Sequence, residues 1–297
     1  RSTLLNTRNA LDLDRQRILT LSPTMTGLGA FSVLVCCALL LPLNVAGEDW
    51  CGAECDCAYA NGFGDKETVT KDCPVPVGGL PRLVAFGIAD GLYAWFDNAN
   101  VGSTWPSVVG GFISTTVSGS TETKEEAGFG AQGGVVALYG STSSDVAVGG
   151  VGIRILPAEF SICTVSRYTG SSRGRIFTGD GNFIHGHYAG GRGIAYYDTF
   201  VTPSNNVGGS VYEWTVMCGT NNGKRHYVDG VNRNSGVDRG GAGGNRLLGI
   251  NCCAGCSYCE RSDWAVAEIM VWNRALSDEE MMSATAYLQQ YVLGIVA

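Results

Sequence analysis

From Leu83 to Trp272, apolar residues come in short runs punctuated by glycine, asparagine and aspartate. A chain written this way folds as many short strands joined by tight turns. Glycine reaches the positive φ angles such turns need, and Asn-Gly or Asp-Gly between strand-like runs is the strongest short hairpin cue. Candidate strands are Leu92–Phe96, Val135–Tyr139, Phe160–Tyr168, Gly193–Phe200, Tyr212–Cys218, Arg225–Val228, Arg246–Asn251 and Ala265–Trp272. Turn signals between them include Gly179-Asp180-Gly181, Asn221-Asn222-Gly223 and Asp229-Gly230. Composition agrees: 43 glycines in 297 residues stand far above the usual level of roughly 7%, with 45% hydrophobic and 16% charged residues. The mix suits neither a helical bundle nor a disordered chain and points to a β-sandwich or barrel. One helix is expected at the end. Ser277 and Glu280 form a capping box, Asp278 and Glu279 sit at the positive end of the helix dipole, and Leu276 with Met281 forms a hydrophobic staple.

The N-terminal part reads differently. Leu28 to Leu41 is an unbroken apolar stretch, followed by the small residues Val45-Ala46-Gly47. That is the form of a secretory signal peptide, and it is short of the ~20 apolar residues of a membrane-spanning helix. The expected organisation is an upstream segment or cytoplasmic tail over 1–24 and a signal peptide over 25–47. A Cys-rich segment follows over 48–82, and the main domain occupies 83–297. The alternative is an uncleaved signal anchor, the one route to a membrane, with Arg8, Arg15 and Arg17 kept cytoplasmic. Either way the body of the chain is expected to be secreted or at the cell surface. Apart from Cys36 and Cys37 in the signal segment, ten cysteines remain. In an oxidising compartment Cys51, Cys55, Cys57, Cys73, Cys163, Cys218, Cys252, Cys253, Cys256 and Cys259 are expected to form disulfides, with pairing open. The Cys253-x-x-Cys256-x-x-Cys259 run also fits thiolate ligands of zinc, a reading the compartment argues against.

Several stretches resemble known sequences. Residues 262–277 (SDWAVAEIMVWNRALS) resemble the last strand and helix start of laminin-G-like, concanavalin A-like jelly-roll domains. Arg225-His226-Tyr227-Val228-Asp229-Gly230 is similar to that family's hairpin, and Gly91-Leu92-Tyr93-Ala94-Trp95-Phe96-Asp97 to its opening strand. Residues 186–197 are similar to a subgroup found in extracellular proteins of algae and oomycete-like organisms. The resemblance covers 83–297 and implies a fold: a jelly-roll sandwich of two antiparallel sheets with a short C-terminal helix. It also implies glycan or extracellular-protein binding through rim loops, with calcium at the rim as an option.

The residues narrow the function. The net charge is −7 and no basic stripe is present, so nucleic acid is set aside. Retaining glycoside hydrolysis needs two carboxyl groups about 5–5.5 Å apart. The Glu-x-Asp-x-x-Glu strand of jelly-roll glucanases is absent. Glu125-Glu126 reads as a polar loop, Asp278-Glu279-Glu280 as a helix start, and Glu213 and Glu268 as lone strand carboxylates. The expectation is therefore no enzyme but a recognition or adhesion module. The alternatives are a structural cell-wall or matrix protein and a glycoside hydrolase lacking the usual motif. Candidate ligand residues are Asp180, Asn182, His185, His187, Tyr188 and Arg192, with Asp238 and Arg239 on a nearby loop. They combine an aromatic face with planar polar groups, as sugar sites do. Asp180 and Asp238 are the candidate calcium ligands, since calcium takes carboxylate and carbonyl oxygens. Tyr197-Asp198-Thr199-Phe200 resembles the metal-site strand of legume lectins, but Tyr196 and Thr202 replace two of its ligands.

Overall fold

The computed structural model describes residues 79–295. Helix α1 (Gly79–Ala85) leads into β1 (Leu92–Phe96), β2 (Thr104–Pro106), β3 (Ile113–Ser118), β4 (Thr121–Ala127) and β5 (Gly134–Gly140). Then come β6 (Asp145–Val148), β7 (Ser161–Arg173), β8 (Phe177–Thr178), β9 (Phe183–Tyr188) and β10 (Gly191–Tyr197). The strands end with β11 (Thr215–Thr220), β12 (His226–Val228), β13 (Val231–Asn232), β14 (Leu248–Ile250) and β15 (Ser262–Trp272), before helix α2 (Asp278–Tyr291). The expected upstream and signal segments, and Cys51, Cys55, Cys57 and Cys73, lie outside the described residues.

Among the described residues the strands form two antiparallel sheets. The eight-stranded sheet runs β13-β12-β11-β7-β15-β5-β4, with β1 also paired to β15. The seven-stranded sheet runs β10-β9-β8-β14-β6-β3-β2. Strand β15 explains the arrangement. Its Trp264, Val266, Ile269 and Val271 enter the core between the sheets, beside Phe177, Phe183, Tyr197 and Ile250. Its Ala265, Ala267, Met270 and Trp272 face the other way, toward Leu83, Ile88 and the buried side of α2. Period-2 alternation sends successive side chains to opposite faces, so a strand apolar at nearly every position must be covered twice. A register shift between Val266 and Glu268 breaks the alternation by one residue and turns Glu268 to the outer face, the usual effect of a bulge.

The sandwich and terminal helix are those expected. Ser277 accepts from the Glu280 amide and the Glu280 side chain accepts from the Ser277 amide, while Leu276 and Met281 are both fully buried. The Asp229-Gly230 turn joins β12 to β13 with both residues at positive φ, 50° and 84°, as the tight hairpin requires. Cys163 and Cys218 are directly opposed on β7 and β11 and disulfide-bonded. Cys252 pairs with Cys259 and Cys253 with Cys256, so the run weighed as a zinc site is two nested disulfides.

Four differences have clear causes. Glu125-Glu126 belongs to edge strand β4 rather than a loop, because hydrated edge strands can be polar on both faces. Phe183–Tyr188 is strand β9; Gly186 at its centre (φ 92°) sits at a register shift against β10 instead of ending the strand. The β9–β10 turn is Ala189-Gly190, whose alanine also takes positive φ (48°). A short helix, α1, precedes the sandwich and buries Leu83.

Candidate functional site

The residues singled out in the sequence fall into three separate environments. Asp180 and Asn182 lie in the β8–β9 connection. The Asp180 carboxylate accepts from Arg154 Nη1 at 2.5 Å and from the Leu247 amide at 2.7 Å. Asn182 Oδ1 accepts from Arg175 Nη1 at 2.7 Å, and the same guanidinium lies 5.3 Å from the Tyr188 and Tyr258 rings. Asp238 is on an exposed loop, where its carboxylate accepts from the Gly240 and Gly223 amides, both at 3.0 Å. Those two hydrogen bonds hold its pKa below the usual carboxylate range. Arg239 is half-buried beside it, with a sealed and unpartnered Nε.

His185, His187 and Arg192 are inside the sandwich. His185 and His187 do face the same way across Gly186, but toward the interior, and both are fully buried. His185 is 2.8 Å from the Tyr197 hydroxyl and 3.2 Å from the Met217 carbonyl. His187 meets Ser166 at 3.3 Å and Thr215 at 3.5 Å. Burial lowers their pKa to about 4 and about 3, with Arg192 adding repulsion at His187, so both rings are neutral near pH 7. Arg192 donates to Thr215 Oγ1 (2.8 Å), the Trp214 carbonyl (3.4 Å) and the Asp229 carboxylate. The Tyr-Val-Asp-Gly hairpin thus fixes this arginine from within, because a buried cation must be paired.

The expected ligand set is therefore corrected in its geometry. His185, His187 and Arg192 hold the two sheets together, while Asp180, Asn182, Tyr188, Asp238 and Arg239 sit in loops or at the sheet margin on other contacts. No group of three or more His, Cys, Asp or Glu among the described residues is arranged to hold a metal. Of the two residues expected to hold calcium, Asp180 is engaged by Arg154 and the Leu247 amide, and Asp238 by the Gly223 and Gly240 amides.

A different set of residues does converge. Helix α2 packs over β11, β12 and β7 and leaves another part of the outer face of the eight-stranded sheet open. There the registers align one row across four strands: Glu122 on β4, Tyr139 on β5, Ala265 on β15 and Arg167 on β7. Ala265 is the small, fully buried member, and Tyr139 and Arg167 meet over it, 5.8 Å apart, to form a floor. The result is a cleft of about 530 Å³, lined also by Lys124, Glu126, Phe129, Tyr212 and Asp263. Gly170 admits Asp263, whose Oδ2 lies only 2.4 Å from where a Cβ on that glycine would stand.

The floor of the cleft is fixed. Arg167 is 3% exposed; it pairs with Glu126, stacks 3.7 Å over the Phe129 ring and donates to the Tyr168 carbonyl at 3.2 Å. The Tyr139 hydroxyl donates to the same Glu126 oxygen at 2.9 Å. Its pKa is pushed up to about 12, mainly by burial, with Arg167 opposing and Glu126 adding to the rise. The rim is open: Phe129 and Tyr212 are 40% and 39% exposed, and Lys124 lies 4.2 Å over the Tyr139 ring and 3.1 Å from Glu122. Sequence reading missed this site. Its signals were the Thr/charge alternation of residues 121–126 and Arg167, a charge inside an otherwise strand-like run.

No protein-family model and no curated protein matches the chain. Solved structures to which the chain is similar include the Trypanosoma rangeli sialidase, at 13% identity and TM-score 0.44 over 68% of this chain. The chain spans about a third (34%) of the sialidase's length. Domain 4 of a GH43 extracellular arabinanase from Geobacillus stearothermophilus, solved with arabinotriose, is 12% identical at TM-score 0.47, over 65% of this chain and 98% of that one. The binding domain of Paraclostridial Mosquitocidal Protein 1 is 10% identical at TM-score 0.38, over 66% and 51%. The sequence expectation that the chain is no enzyme is corrected by this comparison: the sialidase and the arabinanase are enzymes.

Proposed function

We propose that this chain is an extracellular carbohydrate-recognition protein that holds its glycan in the cleft between Phe129, Tyr139, Arg167 and Tyr212. One observation carries the reading: exposed aromatic rings stand beside a pre-ordered Arg167–Glu126–Tyr139 network. Sugar rings offer apolar C–H faces to aromatic surfaces and a rim of hydroxyls to planar charged groups, and few polar groups in fixed positions suffice to orient them. A network locked before the ligand arrives loses little conformational freedom on binding. The three disulfides support the extracellular part, since such bonds persist in oxidising compartments. The laminin-G-like kinship of residues 83–297, the domain division of the chain and the secretory signal over 25–47 belong to the same proposal.

The test is a glycan array probed with the wild-type chain and with Tyr212→Ala and Phe129→Ala. Selective binding that weakens roughly tenfold or more in each variant is expected, the loss typical of a central aromatic contact. Tyr212→Ala should keep the wild-type melting temperature; Phe129→Ala also removes the stack on Arg167 and is compared well below its own melting temperature. An array on which the wild type binds no glycan selectively would refute the reading, and so would selective binding that both variants retain in full.

A further inference from the structure

We infer that the cleft selects uncharged, hydroxyl-rich glycans and excludes chains bearing uronate or sulfate groups, with Glu122 and Asp263 setting that choice. This rests on the carbohydrate reading above and adds the class of sugar. Five charged side chains line the cleft: Glu122, Lys124, Glu126, Arg167 and Asp263. Both cations are already matched. Lys124 lies 3.1 Å from Glu122. Arg167 is paired with Glu126, and its face lies against Phe129. It also donates to the Tyr168 carbonyl at 3.2 Å, and its unpartnered Nε is sealed from solvent, beyond reach of a ligand.

What the cleft offers a ligand is therefore mostly acceptors. Arg167 and Tyr139 both reach Glu126 Oε2, which leaves Oε1 for a ligand hydroxyl. Asp263 spends Oδ2 on the Ser172 amide at 3.1 Å and keeps Oδ1. Glu122 is the most open of the three, its side chain 67% exposed. A neutral sugar brings hydroxyl donors to these oxygens, and charge-assisted hydrogen bonds of that kind are strong. A uronate's carboxylate or a sulfate group brings only acceptors and negative charge beside the sugar's remaining hydroxyls, and would face three carboxylates against two cations that are already paired. Like charges at close range disfavour one another most where water is partly excluded.

The experiment measures binding of the full chain by calorimetry at low ionic strength, where exposed charges are least screened. The probes are a soluble neutral β-glucan, a galactomannan and an arabinan, set against polygalacturonate and heparin. At least one neutral chain should bind, with both anionic chains weaker by about tenfold or more. In Glu122→Gln/Asp263→Asn, Lys124 is left without its counter-charge. The double variant should gain salt-sensitive binding to polygalacturonate or heparin and lose affinity for the neutral chain. Should the double variant not fold, the single Glu122→Gln change on the exposed strand edge carries the same expectation. Wild-type binding to polygalacturonate or heparin as tight as to any neutral chain would overturn the charge selection while leaving carbohydrate recognition in place. Undiminished exclusion in the folded variant would overturn the roles of Glu122 and Asp263. Failure of all five probes would count against carbohydrate recognition itself.

Discussion

Among single residues, Glu268 is a lone strand carboxylate, expected at a solvated edge or in a hydrogen bond. It is hydrogen-bonded but far from a solvated edge: it is fully buried on the outer face, turned there by the bulge in β15. Trp95 Nε1 donates to one oxygen at 2.5 Å and the Asn98 amide to the other at 3.1 Å. Burial still dominates and raises its pKa to about 8. The sign follows from which state keeps the proton. An unfolded glutamate ionises near pH ~4.3, whereas the folded carboxyl stays protonated to about pH 8. Between these values the folded state binds the extra proton, so stability falls as pH rises, by up to about 1.4 kcal/mol per pH unit. Glu268→Gln cannot titrate and should remove that slope. Urea unfolding of both proteins from about pH 5 to 8 should show a difference that grows with pH in favour of the variant. A difference that stays constant would mean the folded carboxyl ionises normally.

At the scale of elements, α2 joins local chemistry to tertiary burial. Its capping box satisfies two orphan amides, and Arg274 grips Glu280 at 2.6 Å, which lowers the Glu280 pKa. Met281, Ala284 and Leu288 meanwhile lie in the outer core. Ser277→Ala removes the cap acceptor and should cost about 1 kcal/mol, read as a lower denaturant midpoint with an unchanged slope. No shift would mean that the buried face alone holds the helix. The same element shows what local signals can reveal. Capping, staple and turn chemistry act within a few residues, so α2 and the Asp229-Gly230 hairpin were legible in the sequence. So were β1 and the buried parts of β5, β7 and β15, whose apolar runs leave little choice. Strands β2, β3, β4, β6 and β9 were not. Strands β3 and β4 are largely polar, β9 holds Gly186 and two histidines, and β2 and β6 are only three and four residues long, so pairing with neighbours makes them strands.

At the scale of the whole sandwich, the candidate site was hardest to read because it is a property of register. Glu122, Tyr139, Ala265 and Arg167 are scattered along the chain from position 122 to position 265 and become one row only when four strands pair in the observed alignment. The histidines show the opposite error: His185 and His187 are two residues apart in sequence and polar, yet both point into the core. All three histidines of the chain are buried there, and the His226 ring lies 5.4 Å from that of Tyr197. Burial lowers their pKa to about 4 for His185 and about 3 for His187 and His226. Unfolded histidine titrates near pH ~6.5, so below that the unfolded chain takes up protons the sandwich refuses. This stability is fully present above pH ~6.5 and is lost as pH falls toward the folded values, at about 1.4 kcal/mol per unit for each ring. Glu268 offsets at most one of the three above pH ~4.3. Unfolding free energy should therefore drop steeply from about pH 6.5 to 5. His226→Gln tests the source, because His226 Nε2 has no partner and its Nδ1 meets only Asn234, at 2.9 Å. In that variant the acid slope should fall by about one histidine's share; an unchanged slope would show that His226 is protonated inside the folded sandwich.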